Sequence, residues 1–207
     1  MSLSVAGLVL AGGLARRMGG GQKALLPLNG KPLLDHVMSR LTPQTDQIAI
    51  NANADPELYA AFPHPVIADT LPGHLGPLAG VLAGLRWAEG RKISHIVSVA
   101  GDTPFFPDDL VDRLGAAVSG ETPIALAATP DPERGLNRHP TFGIWPVALA
   151  DNLEAALTDG LRKVVLWTDT HGCATVPFSA TPYDPFFNVN APADMAKAEQ
   201  LAADHDL

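Results

Sequence analysis

A continuous apolar run that ends in a glycine-rich loop is the feature that most constrains the fold of this chain. Residues 6–11 are all apolar or glycine, as expected of a central strand that is covered on both faces. Residues 12–21 contain five glycines, and a strand cannot continue through such a segment. Because strands buried on both faces are typical of parallel sheets flanked by helices, the opening predicts an α/β protein.

The rest of the first half alternates between helical and strand patterns. We predict a helix that begins near Pro32, a second from Leu78 to near Gly90, and a third opened by Pro107. Further strands are predicted at residues 47–51, 65–69 and 95–100. This alternation with short connections predicts a three-layer α/β/α fold with a mostly parallel sheet.

The pattern changes in the second half, from about residue 122. Residues 130–135 are predicted as a loop, because prolines and a glycine punctuate them. No linker or repeat divides the chain, so we expect one domain over residues 1–207 whose second half completes the sheet and shapes another pocket. Strands are predicted at 123–128, 139–145 and 173–178, and helices at 147–158, 161–168 and 191–203.

Composition and charge exclude several classes of protein. Of the 207 residues 46% are hydrophobic, enough to form a core, which excludes a mainly disordered chain. No apolar run reaches the roughly 18 residues of a membrane span. The one cysteine, Cys173, excludes an internal disulfide framework. The net charge of −8 does not suit general binding of nucleic acid or anionic membrane. We therefore expect a cytoplasmic protein with neither among its partners.

Positive charge is concentrated at the beginning of this acidic chain. Residues 1–45 hold five basic side chains and one acidic one, and Arg16, Arg17 and Lys23 lie in or beside the glycine-rich loop. Glycines let backbone N–H groups approach phosphate oxygens, and arginine and lysine supply the charge. The glycine spacing fits neither a Walker A loop nor the dinucleotide fingerprint. The segment still predicts an anion site suited to a polyphosphate.

Two further segments carry oxygen ligands suited to a divalent cation. Asp102 follows the strand at 95–100, where open α/β sheets bind ligands, and its carboxylate would hold Mg²⁺ against a phosphate. The alternative is a turn or capping aspartate. Asn188 and Asn190 offer neutral amide oxygens, although Asn190 would also suit the cap of the last helix.

Taken together, these motifs resemble those of the molybdenum cofactor guanylyltransferase family, whose members are nucleotidyltransferases of Rossmann-like fold. The likeness covers nearly the whole chain. One departure is Gln22 before Lys23, where such enzymes often have an acid. The matching segments are residues 10–13, 16–19 and 23, residues 28–33 and 51–53, Asp69, and residues 76–80, 101–104, 139–141 and 188–190.

The resemblance implies a reaction and a set of residues for it. GMP would pass from GTP to the terminal phosphate of molybdopterin, releasing pyrophosphate, with Mg²⁺ as cofactor. Lys23, Asp102 and Arg17 are the implied catalytic residues. Residues 76–80 would close the base pocket. The implied GTP contacts are Leu10, Ala11, Gly12, Gly13, Lys23, Asn51, Asp69 and Asp102, and the implied metal ligands are Asp102 and Asn190.

Residues of about 122–207 form the expected acceptor-binding half, and about 1–121 the nucleotide-binding half. We expect His139, Thr141 and Asn188 to contact molybdopterin, with Arg138 as a further donor. The alternative for His139 and Thr141 is that they only tie two strands together. Proteins that donate the cofactor or mature molybdoenzymes are further expected partners.

Other activities remain open at this point. The nearest alternative is a molybdopterin cytidylyltransferase, but residues 10–13 and 102–104 match the guanylyl pattern. A sugar-nucleotide pyrophosphorylase would share the loop and Lys23, although such chains are usually longer. A non-catalytic nucleotide-binding or carrier protein would need the loop but not Asp102. A Rossmann dehydrogenase is disfavoured because its fingerprint is missing.

Overall fold

Seven strands form one mixed sheet at the centre of the protein. The computed structural model describes residues 3–13, 20–73 and 75–205. The strands in chain order are β1 (Val5–Leu10), β2 (Pro27–Leu28), β3 (Lys31–Pro32), β4 (Ile48–Asn51), β5 (Val66–Ile67), β6 (His95–Ala100), β7 (Ile124–Asp131), β8 (Gly135–Pro146) and β9 (Cys173–Pro177). The sheet order is β5-β4-β1-β6-β8-β7-β9, and β2 pairs with β3 in a small separate hairpin.

Helices cover both faces of this sheet. They are α1 (Leu33–Leu41), α2 (Pro77–Ala88), α3 (Leu110–Ala117), α4 (Ala150–Thr158), α5 (Val164–His171) and α6 (Pro192–His205). Helices α1 and α3 pack on one face, and α2, α4 and α5 on the other. The prediction of a three-layer α/β/α fold is therefore confirmed. Helix α6 packs separately with β2 and α1 around Phe105 and Val189.

Strand β8 is the main departure from the parallel arrangement. It runs antiparallel to β6 and β7, while β1, β4, β5, β6, β7 and β9 all point the same way. Strands of both halves of the chain therefore belong to one sheet. In the described part of the chain, no helix is long and apolar enough to cross a membrane.

The predicted loop at 130–135 is wrong at its two ends, because β7 and β8 continue into it as a hairpin. Asp131 pairs with Gly135 across the ladder, so only residues 132–134 form the turn. The Asp131 carboxylate accepts the N–H groups of Glu133 and Arg134 at 2.9 and 2.8 Å. Gly135 has φ +74°, a conformation that suits glycine. Turn-forming residues thus mark a tight reversal within two longer strands.

Several predicted boundaries shift by a few residues. The helix predicted at 147–158 begins at Ala150 after a short 3-10 turn, and the helix predicted at 161–168 spans Val164–His171. Pro32 lies in β3, immediately before α1. Strand β6, by contrast, has the bounds that its apolar run predicted.

Parallel pairing brings the ends of three strands together. Leu10 at the end of β1 lies opposite Asn51 in β4 and Ala100 in β6. The segments that follow these strands therefore leave the sheet at the same edge. Ligands of open α/β sheets bind beyond such carboxyl ends, so this edge is where a site is expected.

Candidate active site

A cavity of about 420 Å³ lies beyond the carboxyl ends of β1, β4 and β6. Its walls combine loop glycines, two asparagines and two aspartates with the beginning of α2, and Thr141 of β8 closes one side. Ala11 is only 1% exposed and does not line it, but its N–H donates to the Asn51 carbonyl at 2.8 Å. The lining residues are Leu10, Gly12, Gly13, Asn51, Asn53, Asp69, Leu75, Gly76, Pro77, Gly80, Ala100, Asp102 and Thr141.

Three predicted residues meet at Lys23. Its ammonium Nζ lies 2.7 Å from Oδ2 of Asp102 and 2.6 Å from Oδ1 of Asn190. The side chains of Lys23 and Asp102 are 14% and 22% exposed, so this ion pair is largely screened from water. The Lys23 N–H donates to the Gly13 carbonyl at 3.0 Å, which closes the base of the glycine-rich loop.

The segment before α6 is attached to the segment after β6. The Val189 N–H donates to the Asp102 carbonyl at 2.9 Å, and the Thr103 hydroxyl donates to the amide oxygen of Asn188. Two chain segments far apart in sequence are thereby joined at the site.

Asn190 does not follow the simple capping alternative. Asp194 accepts the N–H groups of Asn190 and Ala191, both at 2.9 Å, and so organises the beginning of α6. The side-chain oxygen of Asn190 instead accepts a hydrogen bond from Lys23. Sequence reasoning did not identify Asp194, although an acid in a first helical turn was a usable signal.

The oxygens of Asp102 and Asn190 converge on one positively charged group. Carboxylate and amide oxygens are hard ligands of the kind Mg²⁺ uses, usually few in number and completed by water and phosphate oxygens. The described residues contain no group of three His, Cys, Asp or Glu side chains placed to hold a metal. The donor set therefore fits a cation shared with a phosphate ligand rather than a closed protein site.

The opposite wall of the cavity holds Asn51 and Asp69. Asn51 is 6% exposed, and its amide donates to Oδ1 of Asp69 at 2.9 Å and to the Ile67 carbonyl at 3.3 Å. Gly80 of α2 approaches Asn51 so closely that a Cβ there would lie 2.3 Å from the asparagine Oδ1. Helix α2 can lie this close to β4 only because position 80 has no side chain.

Sequence reasoning missed a functional candidate, Asn53. Its amide nitrogen donates to Oδ2 of Asp69 at 2.8 Å, and its amide oxygen accepts the Asp69 N–H at 2.8 Å. The available signal was the pair Asn51 and Asn53 at the end of a buried strand, because residues two apart place their amide side chains at the same edge of the sheet.

The predicted acceptor residues are separated by the structure. Thr141 lines the cavity. His139 instead bonds the Thr129 hydroxyl at 2.9 Å and stacks on Phe186 with ring centroids 4.4 Å apart, and burial lowers its pKa. Arg138 pairs with Asp169 of α5 at 2.7 Å. The donors of Arg138 and His139 thus have protein partners.

Arg17 lies outside the described residues, as do Arg16, Met18 and Gly19. Their expected contribution to the phosphate site stays a prediction from the sequence.

Comparison with known proteins shows which family this sequence matches. The family model of the MobA-like NTP transferase domain matches residues 7–171. A molybdenum cofactor guanylyltransferase of Bradyrhizobium sp. is 48% identical, with 98% of this chain and 95% of the relative covered. One of Mesorhizobium japonicum is 47% identical, with 97% of each chain covered.

Solved structures share the fold at lower identity. The molybdopterin-guanine dinucleotide biosynthesis protein A of Archaeoglobus fulgidus has a TM-score of 0.72 at 22% identity, covering 96% of this chain and 99% of that one. A CMP:2-keto-3-deoxy-manno-octonic acid synthetase in complex with CTP has a TM-score of 0.74 at 17% identity, covering all of both chains.

Proposed function

This chain belongs to the molybdenum cofactor guanylyltransferases of the MobA-like NTP transferase family, and from that premise we propose the reaction and residue roles at its site. The enzyme is a nucleotidyltransferase that transfers GMP from GTP to the terminal phosphate of molybdopterin. An oxygen of that phosphate forms a bond to the α-phosphorus of GTP. The bond between the α-phosphorus and the bridging oxygen to the β-phosphorus breaks, and pyrophosphate leaves with the electron pair.

The single observation that carries the residue roles is the convergence of Asp102, which itself lines the cavity, and Asn190 on Lys23. A nucleoside would lie against Asn51 and Asp69 at the other wall. Its triphosphate then extends toward Lys23, whose ammonium neutralises phosphate charge as a mobile point charge. Leu10, Gly12 and Gly13 line the path between the two ends.

Asp102 and Asn190 are the residues that would hold Mg²⁺. Their side-chain oxygens both contact the ammonium of Lys23. The segments that carry the two residues are joined by the hydrogen bond from the Val189 N–H to the Asp102 carbonyl. The ion supplies counter-charge to the α-phosphate and the departing pyrophosphate when it is bound. Lys23 would turn from Asp102 toward the triphosphate on binding, because its side chain is long and flexible.

Lys23 then has a defined chemical task. Negative charge grows on the leaving pyrophosphate as its bond to the α-phosphorus breaks, and a nearby ammonium stabilises that charge most strongly where water is largely excluded. Arg17 would add a second positive charge from the glycine-rich loop. Asp102 holds the ammonium in place before the nucleotide arrives.

The acceptor would approach from residues of about 122–207. The nucleotide contacts come from residues of about 1–121. The acceptor must attack the α-phosphorus from the side opposite to pyrophosphate, and the wall that remains available for it is formed by β8 and the segment before α6. Thr141 lies on that wall, and His139 lies two residues before it in the same strand. Asn188 belongs to the segment before α6 and is hydrogen-bonded to Thr103 after β6. We assign these three residues to the molybdopterin side of the site.

GTP is favoured over CTP as the donor, because the curated relatives are named guanylyltransferases and residues 10–13 have the guanylyl pattern. Reaction in the cytoplasm, and exchange of the cofactor with donating or molybdoenzyme-maturation proteins, complete the proposal.

The experiment compares GTP, CTP, ATP and UTP at equal concentration with Mg²⁺ and molybdopterin, and measures pyrophosphate and the dinucleotide product. We expect release with GTP that depends on molybdopterin. A carrier protein would release no pyrophosphate with any nucleotide. Equal rates with CTP and GTP would instead assign the chain to the cytidylyl activity.

A further inference from the structure

The carboxylate of Asp69 is held by two asparagines, which we call the asparagine clamp (Asn51 and Asn53). Asn51 donates to Oδ1 at 2.9 Å and Asn53 donates to Oδ2 at 2.8 Å. Asn53 also accepts the backbone N–H of Asp69 at 2.8 Å. Each carboxylate oxygen therefore has one amide partner, and the main chain of Asp69 is held as well.

The two members of the clamp differ in their surroundings. Asn51 is buried and packs against Gly80, so α2 determines where its amide points. Asn53 is exposed, and its side-chain hydrogen bonds are to Asp69. Asn53 and Asp69 both line the cavity, so the hydrogen bonds of Asn53 orient a carboxylate that is open to the cavity.

The clamp leaves hydrogen-bonding capacity on both carboxylate oxygens. An ionised carboxylate only accepts hydrogen bonds and has about four lone-pair sites, of which the two amides use two. Among residues 3–13, 20–73 and 75–205 no other group donates to this carboxylate, so one further acceptor site remains on each oxygen of Asp69. Two parallel acceptors match a ligand that presents two adjacent N–H donors.

We propose that Asn53 is a positioning residue for nucleobase selection: with Asn51 it orients the Asp69 carboxylate to accept the N1–H and N2–H donors of guanine. This inference rests on the proposed function, which already gives Asp69 as a nucleotide contact, and adds the residue that orients its carboxylate toward the base. Leu75 and Pro77 line the same cavity and provide apolar contacts for a flat ring.

Other bases do not satisfy this arrangement. Cytosine presents acceptors at N3 and O2, and adenine presents an acceptor at N1, so the carboxylate would face an unfavourable acceptor. A site built to hydrogen-bond one base edge discriminates strongly against an edge that leaves its polar groups unpaired. The base of inosine nucleotides keeps the N1–H but lacks the 2-amino group, so it loses only the hydrogen bond from N2–H to Asp69.

The test measures Kd for GTP and ITP with Mg²⁺ and no acceptor, on the full chain. We expect the wild type to bind GTP about tenfold or more tightly than ITP, as one hydrogen bond to a charged group allows. Asn53→Ala should weaken GTP about tenfold and ITP clearly less, so that the preference falls to within about threefold. The control is Gln200→Ala, which truncates an exposed amide of α6 and should change neither Kd.

Asn53→Asp provides a second variant of nearly identical shape, in which the donor to Asp69 is replaced by a repelling carboxylate. It should also lose the GTP preference while its thermal unfolding stays cooperative. Equal proportional losses for GTP and ITP, unchanged Kd values, or a wild type that does not distinguish the two nucleotides would each overturn the inference. A wild type that prefers GTP over ITP but forms no product with molybdopterin would refute the proposed function and leave the clamp standing.

Discussion

The ammonium of Lys23 lies 2.7 Å from the carboxylate of Asp102, although the two residues are 79 positions apart in the chain. Lys23 follows the glycine-rich loop after β1, and Asp102 follows β6. Because β1 and β6 are parallel neighbours in the sheet, both segments leave it at the same edge. The adjacency of two strands thus creates the charged centre of the site.

Removing the charge of Asp102 should abolish most of the activity. Asp102→Asn keeps the size of the side chain but loses the ion pair with Lys23 and the proposed anionic ligand for Mg²⁺. We expect a fall in kcat of about two orders of magnitude or more, in the range of lost transition-state electrostatics. The measurement is pyrophosphate release at saturating Mg²⁺ and GTP, with the exposed Asp112→Asn as control. Near-normal turnover would remove Asp102 from the reaction.

Lys23 should matter for both activity and stability. A loop lysine is usually unpacked, but this one is largely screened, and its loss leaves Asp102 with an unpaired charge. Lys23→Ala should raise KM for GTP, slow the chemical step, and lower the free energy of unfolding by about 1–3 kcal/mol. GTP titration and urea denaturation check this, with the exposed Lys163→Ala as control.

The double variant Lys23→Ala with Asp102→Asn sharpens that prediction. It should recover part of the lost stability, because no unpaired charge remains, while its activity stays low. A double variant no more stable than Lys23→Ala would show that the charge of Asp102 is not the cause.

Substitution of Gly80 should damage the proposed nucleotide pocket through Asn51. A Cβ at position 80 would lie 2.3 Å from Oδ1 of Asn51 and 2.7 Å from Leu10, so one of these side chains must move. We expect Gly80→Ala to weaken GTP binding about tenfold or more and to destabilise the protein by about 1–3 kcal/mol. Binding titration and thermal unfolding measure the two effects.

Gly115→Ala is the matched control for Gly80→Ala, since both glycines lie within helices. A Cβ at Gly115 meets only Leu3, at 3.8 Å, which is ordinary contact. Alanine there should stabilise the protein by roughly 0.5–1 kcal/mol and leave GTP binding unchanged. A similar response at both positions would argue against the close contact at Asn51.

His139 should affect the acceptor more than the nucleotide. His139→Ala should raise KM for molybdopterin while leaving the Kd for GTP nearly intact, because its contacts are to Thr129 and Phe186 rather than to the nucleotide cavity. Thr129→Ala removes the hydrogen bond to His139 but keeps the imidazole. Its KM for molybdopterin, compared with that of His139→Ala, separates the effect of the ring from that of the hydrogen bond. Loss of GTP binding with unchanged molybdopterin use would place the acceptor elsewhere.

The protein should lose stability as the pH falls below neutrality. Burial lowers the pKa of both His95 and His139, so the unfolded chain binds protons at a higher pH than the folded one. Their contribution is complete above the unfolded pKa of about 6.5 and is lost as the pH falls from there through the lowered folded values. Urea midpoints at about pH 7.5 and pH 5.5 should differ less for His139→Gln than for the wild type. An unchanged difference would contradict this assignment.

Local patterns in the chain were enough to predict much of the fold. The apolar runs predicted β1 and β6 closely, and the spacing of leucines predicted α2. These signals are local, because a strand buried on both faces or a helix buried along one stripe shows as a pattern of apolar side chains within a few consecutive residues. The assignment of the glycine-rich loop and Lys23 to a phosphate site rests on the same kind of local pattern and stays a prediction. Boundaries were less accurate where turn residues lay inside strands, as at 130–135.

The sequence by itself thus determined the layered α/β class, the positions of its central strands and the chemistry of its polar segments. Only the tertiary structure decided which of those polar groups meet. Asn190 reaches Lys23 across 167 residues, Asn53 pairs with Asp69, and Arg138 is bonded to Asp169 of α5. Such pairs depend on strand order, on register and on how closely α2 packs at Gly80, and these follow from contacts between distant segments that no local pattern records.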